Sequence, residues 1–378
     1  MDLSSELIHS LLPLYMAVGL GASTLTIGIV EGIAEATAMV VKVFSGALSD
    51  FFRRRKPLVV LGYGLAALTK PVFPLAPTLG WIVAARVADR IGKGIRGAPR
   101  DALIADLAPP ALRGASFGLR QALDTVGGAG GPLLAIGAMA YFAGDFQAAF
   151  WVAVVPAVLA LLLLIFGVDE PPRVARDPAT ARQRLQWSDA RRLGRSYAIV
   201  VGIAAVLTLA RFSEAFLVLR ALDVGLPVAA APWVMVIVSL VYAATSYPAG
   251  AAADRGHGPR LLSAGLAALV VSDLVLAQAG GNAMLFAGAA LWGLHMGLTQ
   301  GLLAALVAAA APADLRGTAF GVFNLVCGAA LLIASVLAGG LWDAVGPELT
   351  FHAGAAFALV AWIGLVRYGR IATTLGRN

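Results

Sequence analysis

The stretch "RVADRIGKGIRGAPRDALIAD", residues 86–106, admits two readings that lead to different folds. Gly92-Lys93-Gly94-Ile95-Arg96-Gly97 matches G-x-G-x-x-G, the loop that cradles a dinucleotide. That loop works only after a strand, before a helix, and with an acidic residue about 20 positions further on. The same residues also read as a polar seam in an apolar helix, because Arg86, Arg90 and Lys93 recur at helical spacing within an apolar run. The surroundings favour the seam. No strand precedes the glycines and no Walker A sequence occurs elsewhere, so nucleotide binding is rejected and the glycines are read as sites of close helix approach.

The composition agrees. The 378 residues are 60% hydrophobic and 13% charged, against about 25% charged in soluble proteins, and the mean hydropathy is +0.84. The apolar residues form runs of roughly 20, enough to cross about 30 Å of hydrocarbon as helix, and not the alternating segments of an outer-membrane barrel. The single cysteine, Cys327, lies in an apolar run and is read as a buried small residue, with no disulfide or cysteine-based metal cluster to build. The net charge of +7 sits mostly between the runs, which reflects membrane topology and not nucleic-acid binding.

Twelve spans are expected, at 1–20, 22–48, 57–78, 79–104, 114–142, 148–167, 197–220, 229–252, 259–279, 283–311, 316–340 and 349–368. Basic residues concentrate in alternate connections: Arg53 to Lys56, Arg113, the arginines between Arg173 and Arg195, Arg255 with Arg260, and Arg316. The intervening connections 141–147, 280–282 and 343–348 carry no Lys or Arg, so the basic loops and both chain ends are expected in the cytoplasm. Asp2 and Glu6 open the first span without a basic flank, so that span is expected to start part-way through the membrane, either because the chain begins downstream of the natural start or because the helix is short by a turn or more, and a cleaved signal peptide does not fit.

The chain also repeats. "LRGASFGL" at 112–119 returns as "LRGTAFGV" at 315–322, and "GALSD" at 46–50 returns as "GAAAD" at 250–254, offsets of 203 and 204. The polar segment 168–196, rich in Pro and Arg, separates the copies. Two six-span halves in the same orientation follow, 1–167 and 197–378, joined by a cytoplasmic linker.

These motifs resemble the major facilitator superfamily over essentially the whole chain. In "GALSDFFRRRKPL", Gly46, Asp50, Arg54 and Arg55 match that family's signature after the second span, with Phe51 where a base is usual and Arg53 where glycine is usual. The second copy keeps Gly250, Asp254 and Arg255, with Gly258 at the later basic position. Arg90, Lys93, Gly94, Gly97 and Ala98 resemble the fourth-span pattern, Lys93 standing in the Gln position. "GGAGGPLLAIG" resembles the fifth-span pattern of the exporting, antiporter branch through Gly127, Gly131 and Pro132, with Ala135 replacing a glycine. The resemblance implies an all-α integral membrane fold of twelve helices in two six-helix bundles, working by alternating access. It implies that Asp50 and Arg54 meet the start of span eleven near Arg316, and Asp254 the start of span five near Arg113, closing the cytoplasmic side.

The charged residues inside the spans are the candidate pathway. A charge at mid-membrane costs at least ~2.5 kcal/mol on insertion scales, so such residues face a polar interior. Asp2, Glu6 and His9 share one face of span one, and Glu31 and Glu35 form an acidic pair on span two. They are either proton carriers, Glu6 first among them, or static partners of the span-four bases. Asp89 is within helical reach of Arg86 or Lys93, Arg211 of Glu214, and Arg120 of Asp124. Arg96, Arg100 and Asp101 are read as cytoplasmic-end residues, Arg90 as functional, and His295 as a packing residue or a pathway residue. The expected protein is a secondary transporter in a bacterial inner membrane, using no cofactor. It is expected to act as a monomer in contact with lipid, exchanging protons for a small anionic, zwitterionic or metal-chelating substrate. Import of an organic anion, export of lipophilic cations, or a non-transporting receptor on the same fold are the alternatives.

Overall fold

Backbone amides in hydrocarbon have no water to bind, so long apolar runs can cross only as helices. The computed structural model describes the backbone of residues 1–52, 55–109, 112–169, 192–312 and 315–375, with side chains outside the description at 46–52, 113–115, 305, 316 and 368–375. Among the described residues there is no strand. The first half holds α1 (Asp2–Leu14), α2 (Thr24–Phe52), α3 (Lys56–Thr69), α4 (Val72–Leu75), α5 (Leu79–Leu107), α6 (Arg113–Tyr141) and α7 (Phe146–Gly167). The second holds α8 (Gly194–Ala210), α9 (Ala215–Asp223), α10 (Trp233–Ala252), α11 (Gly258–Ala277), α12 (Asn282–Ala310), α13 (Arg316–Ala344) and α14 (Pro347–Leu375).

Two crossings come in two pieces, α3 with α4 and α8 with α9, so the fourteen described helices make the twelve expected spans. Span three stops at Lys70-Pro71, where proline cannot continue the hydrogen-bond ladder. Span seven, expected to be continuous, breaks at Arg211–Glu214, where Arg211 leaves helical geometry at φ −104° and ψ 62°. Span one follows α1 into a π-helical turn, Tyr15–Gly19, just beyond Pro13. Among the described residues, seven stretches are long and apolar enough to cross a membrane on composition alone, one of them, Val228–Ala277, holding both α10 and α11. The remaining crossings are α2, α5 and α6, which carry the interior charges, and the short α1.

The two halves meet along two seams, α2 against α13 and α6 against α10. The first is built for close approach. A Cβ added to Gly28 would lie 2.2 Å from the Ser335 carbonyl oxygen, and one on Gly339 would lie 2.6 Å from that of Thr24. Gly32 and Gly328 continue the ladder against Leu332 and Met39. Small residues let backbones touch where lipid supplies no hydrophobic drive for association. At the end of the molecule away from the basic loops, Leu11, Leu14 and Met16 of span one pack into the same core as Phe216, Leu217 and Val218 of α9. That end is sealed.

Candidate functional site

The charges of α5 are matched by partners on three other helices. Arg86 meets the Glu31 carboxylate through two hydrogen bonds of 3.0 and 2.6 Å, with both residues fully enclosed. Arg90 lies 3.2 Å from Glu35, Arg96 is 3.0 Å from Asp2 and stacks 4.7 Å over the Tyr63 ring, and Asp89 takes Lys70 at 2.8 Å. The expected approach of Asp89 to Arg86 or Lys93 is therefore corrected. Arg86 turns to α2 while Asp89 turns to the break after α3, where Lys70 also donates to Ser5 Oγ at 3.1 Å. His9 lies 3.3 Å from Glu6 and 3.7 Å from Glu31.

Beside this paired core lies a cavity of about 740 Å³, lined by both halves. The first half contributes Asp2, Glu6, His9, Glu35, Lys42 and Lys93, and the second Arg211, Glu214, Tyr242, Trp292, Gln300 and Cys327. It runs from the middle of the molecule toward the basic-loop end, where Arg100 and Arg120 bridge Asp101 and Asp124 at 3.1 to 3.6 Å. Arg120 and Asp124 thus form the pair expected from their spacing. Arg96, Arg100 and Asp101, read from sequence as end residues, belong to the cavity wall.

Several expected pathway residues do not reach the cavity. Glu31, Asp89 and Arg90 sit behind its wall, as partners within the first half. His295 is fully buried and turned from it, its Nδ1 2.9 Å from the Gly265 carbonyl of α11. Arg211 and Glu214 both line it but form no ion pair with each other, because the helical break removes the geometry that three-residue spacing provides. Lys93 and Lys42 line it without a hydrogen bond or ion pair among the described residues.

The glycine motifs have packing roles. A Cβ on Gly92 would fall 2.7 Å from the Gly62 carbonyl of α3, and one on Gly94 would fall 2.7 Å from the Val41 side chain of α2. Gly127 and Gly131 form the groove in which α1 lies, with Asp2 and Glu6 against them, and Pro132 follows within α6. These glycines place two carboxylates of span one at the cavity.

Of the expected gate, the side chains of Gly46, Asp50, Arg54, Arg113 and Arg316 lie outside the described residues. Arg55 reaches Asp106 at 2.7 Å and donates to the Ala102 carbonyl, tying the α2–α3 turn to α5 within its own half. Asp254 and Arg255 are exposed in a π-helical turn at Gly256, φ 88°, and form no ion pair among the described residues. Sequence reasoning missed Lys42, Lys70 and Asp343. Lys70 had a signal, a lone cation before Pro71 in an apolar run; Asp343 had none, because its partners are backbone amides of α2.

The comparisons with known proteins agree with this geometry. The family model described as Major Facilitator Superfamily matches residues 1–227 and 200–375. An uncharacterized MFS-type transporter of Methanocaldococcus jannaschii is 32% identical over 376 residues, covering 97% of this chain and 91% of its own. The inner membrane transport protein YajR of Escherichia coli is 27% identical over 358 residues, covering 91% and 75%. Among solved structures, a mutant of the nucleoside transporter NupG superposes with a TM-score of 0.80 at 13% identity, covering 97% of each chain. A bacterial homologue of the lysosomal transporter Spinster, inward-facing and unoccupied, superposes with a TM-score of 0.73 at 16% identity, covering 97% and 92%. At these identities the structures speak to the fold alone.

Proposed function

The chain belongs to the major facilitator superfamily, and on that footing we propose that this multi-pass membrane transporter exports a small anionic, zwitterionic or metal-chelating molecule in exchange for protons. The observation that carries the reading is the cavity: charged, shared by both halves, sealed at one end and lined toward the other by the ends of α2, α5, α6, α12 and α13. Alternating access then requires residues 1–167 and 197–378 to rock about it, with 168–196 as the tether. The basic-loop end is cytoplasmic by the positive-inside rule, which puts both termini in the cytoplasm of a bacterial inner membrane. In the opposite state Asp50 with Arg54 meets the start of α13 near Arg316, and Asp254 meets the start of α6 near Arg113. Each aspartate there faces the positive end of a helix from the other half.

Protons are exchanged at Glu6, which faces the cavity beside His9, with Glu35 as the neighbouring carboxylate. Glu31 is held apart by Arg86 and serves as structure. The export direction rests on the resemblance of Gly127, Gly131 and Pro132 to the antiporter pattern. The protein acts as a monomer embedded in lipid. One observation favours a second reading: Phe212, Tyr242, Trp292 and Phe323 line the cavity with Met39, Met235 and Met296, a surface that suits lipophilic cations.

The test uses everted membrane vesicles with an acidified lumen and a dye reporting the pH gradient. Organic anions, zwitterions, metal chelates and lipophilic cations are added in turn. A compound that dissipates the gradient and accumulates inside, in the native protein and not in Asp50→Asn, establishes proton-linked export. Accumulation only in vesicles of native orientation under an inward proton gradient identifies an importer, and the absence of any gradient-linked flux overturns proton exchange.

A further inference from the structure

Charge bookkeeping along the cavity wall leaves a remainder. Among the acidic lining residues, Asp2 is matched by Arg96, Glu35 by Arg90, and Asp101 and Asp124 by Arg100 and Arg120, while Glu6 lies 3.3 Å from the His9 imidazole, which matches its charge only when that ring is protonated. Glu214 has no cation within 4.0 Å and no side-chain hydrogen bond among the described residues. Among the bases, Lys42, Lys93 and Arg211 are likewise without a partner. Lys42 and Lys93 are exposed to the cavity, whereas Arg211 and Glu214 are half-buried. A half-buried charge left unpaired is costly, so Arg211 and Glu214 complete their shells with whatever enters the cavity.

The geometry keeps Arg211 and Glu214 available. They flank the break between α8 and α9, and non-helical backbone at membrane depth is tolerated where it is buried in protein or lines a water-filled cavity. The break is fixed from behind. The Ser213 N–H donates to Ser335 Oγ at 3.2 Å, the Ala215 N–H to Ser213 Oγ at 3.3 Å, and Phe212 packs between the Trp292, Phe216 and Phe351 rings at 5.3 to 5.6 Å. With Phe212 anchored, the two charged neighbours cannot close on one another as they would on a continuous helix. Trp292, in the same wall, has its indole N–H buried without an acceptor.

We infer that the cavity recognises a zwitterion carrying an aromatic or other apolar body, with Arg211 and Lys93 taking its anionic group and Glu214 its cationic group. The inference deepens the transport reading above and rests on it for physiological use. It narrows the substrate class, because a purely anionic solute leaves Glu214 unpaired and a purely cationic one leaves Arg211 and Lys93 unpaired.

The experiment measures binding by thermal unfolding of the full chain in detergent, without a gradient. Matched probe triplets on indole, phenyl and linear alkyl scaffolds carry an amine with a carboxylate, the carboxylate alone, or the amine alone; tryptophan, indole-3-propionate and tryptamine form the first. The expected result is stabilisation by at least one zwitterion, with its singly charged partners binding tenfold more weakly or worse. Glu214→Gln is expected to make the zwitterion and its carboxylate-only partner bind alike within twofold, and Arg211→Gln to weaken both tenfold. Glu214→Asp, which keeps the charge, preserves the discrimination and serves as the readout if Glu214→Gln does not fold. Equal binding of a singly charged partner to the native chain, or no zwitterion binding at all, overturns the inference. A zwitterion that binds but is not carried across vesicles overturns the transport reading alone, whereas proton-linked flux of compounds lacking an amine overturns this inference alone.

Discussion

The Asp343 carboxylate at the end of α13 accepts hydrogen bonds from the backbone N–H of Leu25 at 2.8 Å and of Thr24 at 3.0 Å, the first turn of α2. One half of the molecule therefore caps a helix of the other, across 318 residues of sequence, at the end away from the basic loops. A cap of this kind contributes about 0.5–2 kcal/mol, and a carboxylate at a helix N-terminus gains further from the helix dipole. Asp343→Leu is expected to shift the population several-fold toward the state open at that end, with Asp343→Asn intermediate. Distance measurements between spin labels on the two halves at that end would show the longer distance gaining weight; unchanged distributions would mean that the cap does not hold the seal.

The glycine ladder along the same seam predicts a stronger effect. A side chain at Gly28 meets the Ser335 backbone at 2.2 Å, and backbone cannot move aside as a flexible side chain can. Gly28→Leu is expected to prevent closure of this end while leaving each half folded. Transport should fall to background with a normal gel-filtration profile, and an active variant would contradict the tight seam.

Glu31 and Arg86 illustrate how much of the site was legible. The sequence presents both as interior charges on spans two and four, and the insertion cost of charge correctly implies that they turn inward. Which charges pair and which stay free depends on how the helices are rotated about their axes, and i, i+4 spacing says nothing about that. The same ambiguity hid the break at Arg211–Glu214, since the surrounding residues are as apolar as in an unbroken span. Twelve crossings and the twofold repeat were readable because each is a long pattern. Lys70 on Asp89 and Asp343 on α2 were not: the first depends on how α5 is rotated past the break after α3, and the second is a contact between residues 318 positions apart.

Removing one member of the buried Glu31–Arg86 pair leaves the other uncompensated, at a cost of about 3–5 kcal/mol. Glu31→Gln and Arg86→Gln are each expected to lower the unfolding midpoint sharply, and the double variant less than the sum. Additive losses in this cycle would show that the two side chains do not interact as described.

Asp273 in α11 is fully buried, and neither carboxyl oxygen has a hydrogen-bond partner among the described residues. An unsatisfied buried polar group costs roughly 1–3 kcal/mol. Asp273→Val, close in volume, is expected to raise the unfolding midpoint. A lower midpoint would mean that the carboxyl contributes to stability where it lies.

Cys327 is the single cysteine and lines the cavity from α13. A membrane-impermeant thiol reagent is expected to modify it from the basic-loop side, with bound substrate slowing the reaction. Equal rates from the two sides would contradict the sealed end.

The pairing of Glu31 with Arg86 also bears on how the protein is made. The two residues are separated by 55 positions, so α2 leaves the ribosome with its carboxylate long before the guanidinium exists. At synthesis rates of about 5–20 residues per second, that interval is roughly 3–11 s. A helix carrying Glu31 and Glu35 enters hydrocarbon poorly on its own, so α2 must wait at the insertion machinery, or at the water interface, until α5 arrives. The first half is then expected to insert as an assembled group of helices, no faster than the segment between the two residues is translated.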